Sequence, residues 1–150
     1  MEYKIETLTA QQIVYMRQTG AYGGPENFML MERFKGWIAV HGLETEAARN
    51  GIYGVAQDDP QTTLPQACRY DLMLVTKRNF SEDPEVCIDR LAGGRYAVFT
   101  VPHTREAVQA FWREFAEISK ELPLRDLPPI ERYKEAVGPD KNCEFLIPVE

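Results

Sequence analysis

A repeated order of hydrophobic patterns constrains this chain more than any single motif. From Glu26 to His41, Leu30, Phe34, Trp37, Ile38 and His41 recur at helical spacing; Pro25 suits a first turn and Gly42 a stop. The same period returns in Val108, Phe111, Trp112, Phe115 and Leu122, with Thr104 as the expected N-cap and Glu106 in the first turn. Each stripe follows a β-rich run. The first is "YKIETLTAQQIVYMRQT", a strand that continues past a bend near Thr9–Gln11; the second is "GGRYAVFTV". Each stripe also precedes two more β-rich runs, "GIYGVAQ" and "ACRYDLMLVT" in one half, "LPPIERYKE" and "CEFLIPVE" in the other. The loop "DDPQTTLPQ" and the turn "VGPDKN" separate the members of each pair. Two β-α-β-β units, about residues 1–78 and 91–150, cannot bury their helix faces alone. They predict one α+β domain over 1–150, a pseudo-twofold duplication with antiparallel sheets, two long helices and a central ligand cleft.

Laid over one another, the halves place Ile52–Tyr53 opposite Ile130–Glu131, an offset of 78 residues, and "CRYDLMLV" opposite "NCEFLIPV". Trp37 then has Trp112 or Phe115 as its counterpart. Glu131 breaks the symmetry, because its counterpart is Tyr53. In a strand, Ile130 and Arg132 face one way while Glu131 and Tyr133 face the other. A glutamate on a core-facing side is costly unless something compensates it. Either a protein partner exists, such as Arg132 or another arginine on an exposed face, or a cationic ligand supplies the charge. For Trp37, Trp112 and Phe115 the competing assignment is plain core. Tyr70 has the same alternative, and Arg69 and Asp71 fit an inter-strand pair.

Charge and composition exclude several classes. A net charge of −6, a pI near 5.0 and a longest basic run of Lys77–Arg78 argue against direct nucleic-acid binding. The N-terminus "MEYKIETLTA" lacks an apolar segment, and no run approaches the ~18 residues of a membrane span, so a cytoplasmic protein is expected. Cys68, Cys87 and Cys143 fit neither a disulfide framework nor a C-x-x-C site, and His41 and His103 are too few for a histidine zinc site. Gly23–Gly24 and Gly93–Gly94 lack phosphate-loop spacing. No metal and no cofactor are expected.

Five segments in register now carry a resemblance: "RQTGAYGG", "DDP…CRYDLMLV", "GGRYAVFTV", "PPIERY" and the terminal "EFLIPV". Together, over about residues 2–150, they resemble the GyrI-like small-molecule-binding family. That family includes stand-alone proteins similar to the bacterial DNA gyrase inhibitor and effector-binding domains of multidrug-sensing transcription regulators. The chain shows no helix-turn-helix extension, so the likeness is to the stand-alone form. The resemblance implies that Glu131 is the acidic floor of the cleft and Tyr133 the tyrosine of the same motif. It implies an aromatic lining, for which Tyr53, Trp37, Trp112 and Tyr70 are the candidates. The family's last strand often has an aromatic two residues before its proline. Here Leu146 stands there and Phe145 one place earlier, which turns Phe145 away from the cleft.

The function implied is binding of amphipathic aromatic, cationic or neutral, small molecules for sequestration or sensing. Two alternatives accompany it. One is a hydrolase of strained electrophilic toxins using Glu131, Tyr133 and Tyr53. The other is a protein-interaction role with DNA gyrase or another protein partner. The residues themselves offer no independent nucleophile, so a binding role is favoured over an enzyme.

Overall fold

The structure is a computed structural model that describes residues 1–134 and 138–150. Its strands are β1 (Lys4–Leu8), β2 (Gln11–Thr19), β3 (Ile52–Ala56), β4 (Arg69–Val75), β5 (Cys87–Leu91), β6 (Gly94–His103), β7 (Ile130–Tyr133) and β8 (Gly138–Val149). The helices are α1 (Pro25–Val40), α2 (Glu44–Asn50), α3 (Arg105–Arg113) and α4 (Phe115–Ile118). All eight strands form one antiparallel sheet in the order β1-β6-β8-β7-β3-β4-β2-β5. From the β7–β3 seam outwards the order reads alike in both directions: the second strand after the helix, then the strand before it, then an added edge strand.

Register assigns the two faces. Met16, Leu72, Gly54, Glu131, Phe145 and Phe99 are successive partners across β2, β4, β3, β7, β8 and β6, so they form one row on one face. On this face α1 buries Leu30, Phe34, Trp37 and Ile38 against Val14, Met16, Leu72 and Leu74. At the other end α3 buries Phe111 against Ala97, Phe99, Phe145 and Ile147. The seam lies between the two helix-covered cores. The opposite face holds a third core drawn from both halves, with Ile13, Val55, Met73, Tyr96, Val98, Ile130 and Leu146. Arg132 of β7 reaches Glu6 of β1, three places along in strand order, so the sheet curls toward this inner face.

Several expected elements are corrected. The opening run is not one bent strand: β1 pairs with β6, whereas β2 pairs with β4 and β5. The polar stretch before Gly51 is helix α2, whose burial is too slight to leave an apolar stripe. Strand β5 lies in a stretch assigned no element. Only Leu91 is buried in it, so it carries no clear alternation. The second long helix is interrupted at Glu114 (φ −97°, ψ 5°). Phe115, Ile118 and Leu122 nonetheless pack on the same core, so apolar spacing did not mark the break. The turn "VGPDKN" is strand from Gly138 onward, with a register shift opposite Pro102–His103; Val137 lies outside the described residues. Glu135 of "LPPIERYKE" lies outside them as well.

Candidate functional site

Strand β7 places the site by alternation. Ile130 and Arg132 are buried on the inner face, while Glu131 and Tyr133 point to the helix face and keep partial exposure. Glu131 therefore sits in the row between the two helices. Its neighbour across the seam is Gly54, and the missing side chain there has a consequence. A Cβ at position 54 would overlap the Tyr70 hydroxyl, with Cζ of the same ring at 3.0 Å and Glu131 Oε1 at 3.4 Å. The notch lets Tyr70 reach from β4 across β3 and donate to Glu131 Oε1 at 3.0 Å. From the other side Trp112 of α3 donates its indole N–H to Oε2 at 3.1 Å. Tyr133 lies on the same face of β7 as Glu131.

Aromatic packing holds these donors in place. Trp112 is bounded by Phe111, Phe115 and Phe145 at centroid distances of 5.0, 5.4 and 5.1 Å, and Phe145 stacks on Phe111 at 4.1 Å. Tyr22, in the loop before α1, meets the Tyr70 ring edge-on at 6.3 Å. The His103 ring stacks on Tyr133 at 5.0 Å. Each pair of this kind contributes ~0.5–1.5 kcal/mol beyond its area, so the carboxyl group faces a stiff set of rings.

Burial sets the electrostatics. Loss of water raises the Glu131 pKa above its ordinary value, opposed by the donors Trp112, Tyr70 and Tyr133 and by the nearby His103. The Tyr70 and Tyr133 hydroxyls are pushed well up by burial and then by the Glu131 charge. The Cys143 thiol is pushed up to about 12 for the same two reasons. Among the described residues no lysine or arginine nitrogen lies within 4.0 Å of the Glu131 carboxyl group. Arg132 in particular is turned to the inner face, where it binds Glu144 at 2.8 Å and Glu6 at 2.9 Å. A Glu131–Arg132 ion pair is excluded by that geometry.

Of the six residues selected from sequence, the structure brings Glu131, Tyr133, Tyr70 and Trp112 together. Tyr53 and Trp37 are corrections. Tyr53 is in register with Arg132, so it lies on the inner face, away from Glu131. The offset of 78 residues matched positions of opposite facing, an error a one-residue slip always makes. Trp37 is 3% exposed in the core beneath α1, stacked on His41 at 4.4 Å and donating to Asp83 at 3.1 Å. Phe145 is a third correction: it is the direct partner of Glu131 and shares its face, while Leu146 points into the inner core. Gly54, Tyr22 and His103 were missed. Gly54 had a signal, a glycine inside a strand, which marks close approach of another group. Asp71 binds Arg17 across β2 and β4, an inter-strand pair, and Arg69 binds Asp58 at the surface. Among the described residues there is no cluster of His, Cys, Asp and Glu able to hold a metal ion, and no helix long and apolar enough to cross a membrane. A recess of about 420 Å³ beside α1, lined by Gln18, Glu26, Leu30 and Arg33 among others, shares no residue with the Glu131 cluster.

The chain is similar in sequence or in fold to several known proteins. The SPbeta prophage-derived protein YosT of Bacillus subtilis (strain 168) is 40% identical over 152 residues, covering 100% of both chains. The structure of SAV2435 bound to tetraphenylphosphonium superposes with a TM-score of 0.65 at 20% identity, over 100% of this chain and 94% of that one. The EcmrR C-terminal domain gives a TM-score of 0.71 at 9% identity, over 100% and 99%. At those identities the two structures establish the fold alone. Residues 1–150 match the family described as GyrI-like small molecule binding domain, and this chain belongs to that family.

Proposed function

We propose that the protein binds aromatic, lipophilic cations in the cleft between α1 and α3, with Glu131 as the counter-charge, for sequestration or sensing. One observation carries the reading. Among the described residues Glu131 is enclosed by rings, takes its printed hydrogen bonds from the neutral Tyr70 and Trp112, and has no lysine or arginine nitrogen within 4.0 Å. A delocalised cation supplies the answering charge, and the surrounding rings add cation–π terms of ~0.5–2 kcal/mol each. The tetraphenylphosphonium held by SAV2435 is a compound of this class, and the naming of YosT as a candidate transcriptional regulator supports the sensing role.

A second reading, hydrolysis of strained electrophilic compounds, is favoured by one detail. Glu131, held toward its protonated form, lies 3.0 Å from the Tyr70 hydroxyl, an arrangement suited to general acid–base work. One experiment separates the two. Trp112 fluorescence is titrated with a panel of lipophilic cations and neutral aromatics, and the ligand is then recovered for mass spectrometry. The binding reading expects saturable quenching by cations, its loss in Glu131→Gln, and ligand returned unchanged. Altered mass in the recovered ligand moves the assignment to hydrolase. No quenching by any member of a broad panel removes both.

A further inference from the structure

We propose that a second recess, where α2 ends beside the start of β2 and the end of β4, binds a small polyvalent phosphate. The ligand is a free polyphosphate or the phosphate tail of a nucleotide. The recess has a volume of about 410 Å³ and shares no residue with the Glu131 cluster.

Charge singles it out. The chain carries −6 overall, yet Arg49, Lys77 and Arg78 line this one recess, opposed there by Glu46. Three cations against one carboxylate leave a positive surplus. Among the described residues no carboxylate oxygen lies within 4.0 Å of a charged nitrogen of these three side chains. The carbonyl end of α2 offsets at most about half a unit charge of that surplus. An anion entering the recess is attracted by all three cations and relieves their mutual repulsion. A single carboxylate answers only part of the surplus, whereas a diphosphate answers all of it.

The donors are placed to meet such a ligand. The turn after β4 is fixed by the Gln12 amide, which donates to the carbonyls of Thr76 and Arg78 at 3.1 and 2.9 Å. The Arg78 backbone N–H donates to Thr76 Oγ1 at 3.2 Å. Arg78 Nη1 donates to the His41 carbonyl at 3.0 Å, and its guanidinium lies 5.3 Å from the Phe80 ring centroid. A guanidinium has five N–H donors, so most of the fork stays available. Arg49 comes from the last turn of α2, and the cations therefore converge from two elements. Gln11 and Asn50 add side-chain amides that have no partner among the described residues. Arginine forks suit phosphate oxygens, lysine adds a point charge, and amides fill the remaining acceptor positions.

The test is isothermal titration calorimetry of the full chain in phosphate-free buffer, with pyrophosphate and with ADP, at two salt concentrations. Wild type should bind with an affinity that falls as salt rises. Arg49→Gln/Lys77→Gln changes two exposed side chains and should weaken binding by about tenfold or more. Glu46→Gln should instead tighten it several-fold, because it removes the opposing charge. Tighter binding of ADP than of pyrophosphate assigns a nucleotide, and equal or weaker binding a free polyphosphate; both results uphold the site. Neither saturable heat nor a shift in melting temperature with either ligand would overturn it. Binding left unchanged by the double variant and by Glu46→Gln would overturn it as well.

Discussion

Gly54, Tyr70 and Glu131 act as a set, because the space for one is made by the absence of another. Gly54→Ala drives a methyl group into the Tyr70 hydroxyl and should lower stability by ~1–3 kcal/mol, the usual range for overpacking. Removing the offending oxygen in Gly54→Ala/Tyr70→Phe should recover much of that loss, a non-additivity that urea denaturation of wild type, the two single variants and the double variant would measure. A simple sum of the two single effects would contradict the notch. The Glu131 charge also makes binding depend on pH. Burial raises its pKa in the free protein above the ordinary 4.5, and a cation favours the ionised form. Cation affinity should therefore rise with pH through that raised pKa, with proton release on binding below it. Titrations in two buffers of different ionisation enthalpy check this, and a pH-independent affinity for the cation would speak against Glu131 as the counter-charge. At this scale alternation put Glu131 and Tyr133 on one face, whereas Tyr70 and Trp112 were set apart from plain core only by the resemblance, since spacing alone treats them as it treats Trp37. Gly54 was legible only as a puzzle. Its role depends on the β3–β7 register, which no short-range pattern specifies.

Strand β7 is held by its inner side as firmly as it is used on its outer one. Arg132 is 4% exposed and spans Glu144 on β8 and Glu6 on β1, tying the curled edge to the seam. Arg132→Ala leaves two partly buried carboxylates unanswered and should cost roughly 2–4 kcal/mol, below the full buried-pair range because Glu6 stays partly exposed. The effect should depend on pH in a definite sense. The hydrogen bond from Arg132 lowers the Glu6 pKa, so its contribution is present above the ordinary carboxylate value and is lost as pH falls through the lowered one. The gap between wild type and Arg132→Ala in chemical denaturation should thus narrow in acid. A gap that widens there would contradict the assignment. Element boundaries were readable where the periodicity was strong, as in α1, β3 and β4. They failed where chain direction changes without changing hydrophobicity. The β1–β2 break and the Glu114 interruption both preserve the apolar pattern, so only strand partners and backbone angles reveal them.

The molecule as a whole is two helix-covered half-sheets joined through three residue pairs, Ile52–Tyr133, Tyr53–Arg132 and Gly54–Glu131. A ligand at Glu131 therefore bears on the joint between the halves. Hydrogen exchange with and without a bound lipophilic cation should show added protection in β3, β7 and α3, and little in the edge strand β5. Protection confined to one half would contradict a seam site. The α+β architecture was legible because the pattern recurs twice. The curl of the sheet was not, since it arises from contacts such as Arg132–Glu6 between residues distant in sequence. The central claim, that Glu131 is the counter-charge for a bound cation, is tested most directly by one calorimetric comparison. Tetraphenylphosphonium and the neutral triphenylphosphine oxide are each titrated into wild type and Glu131→Gln. Selective loss of the phosphonium ion in the variant, by about tenfold or more, with the neutral compound little changed, is the predicted result. Equal affinity of the phosphonium ion for both proteins would contradict it.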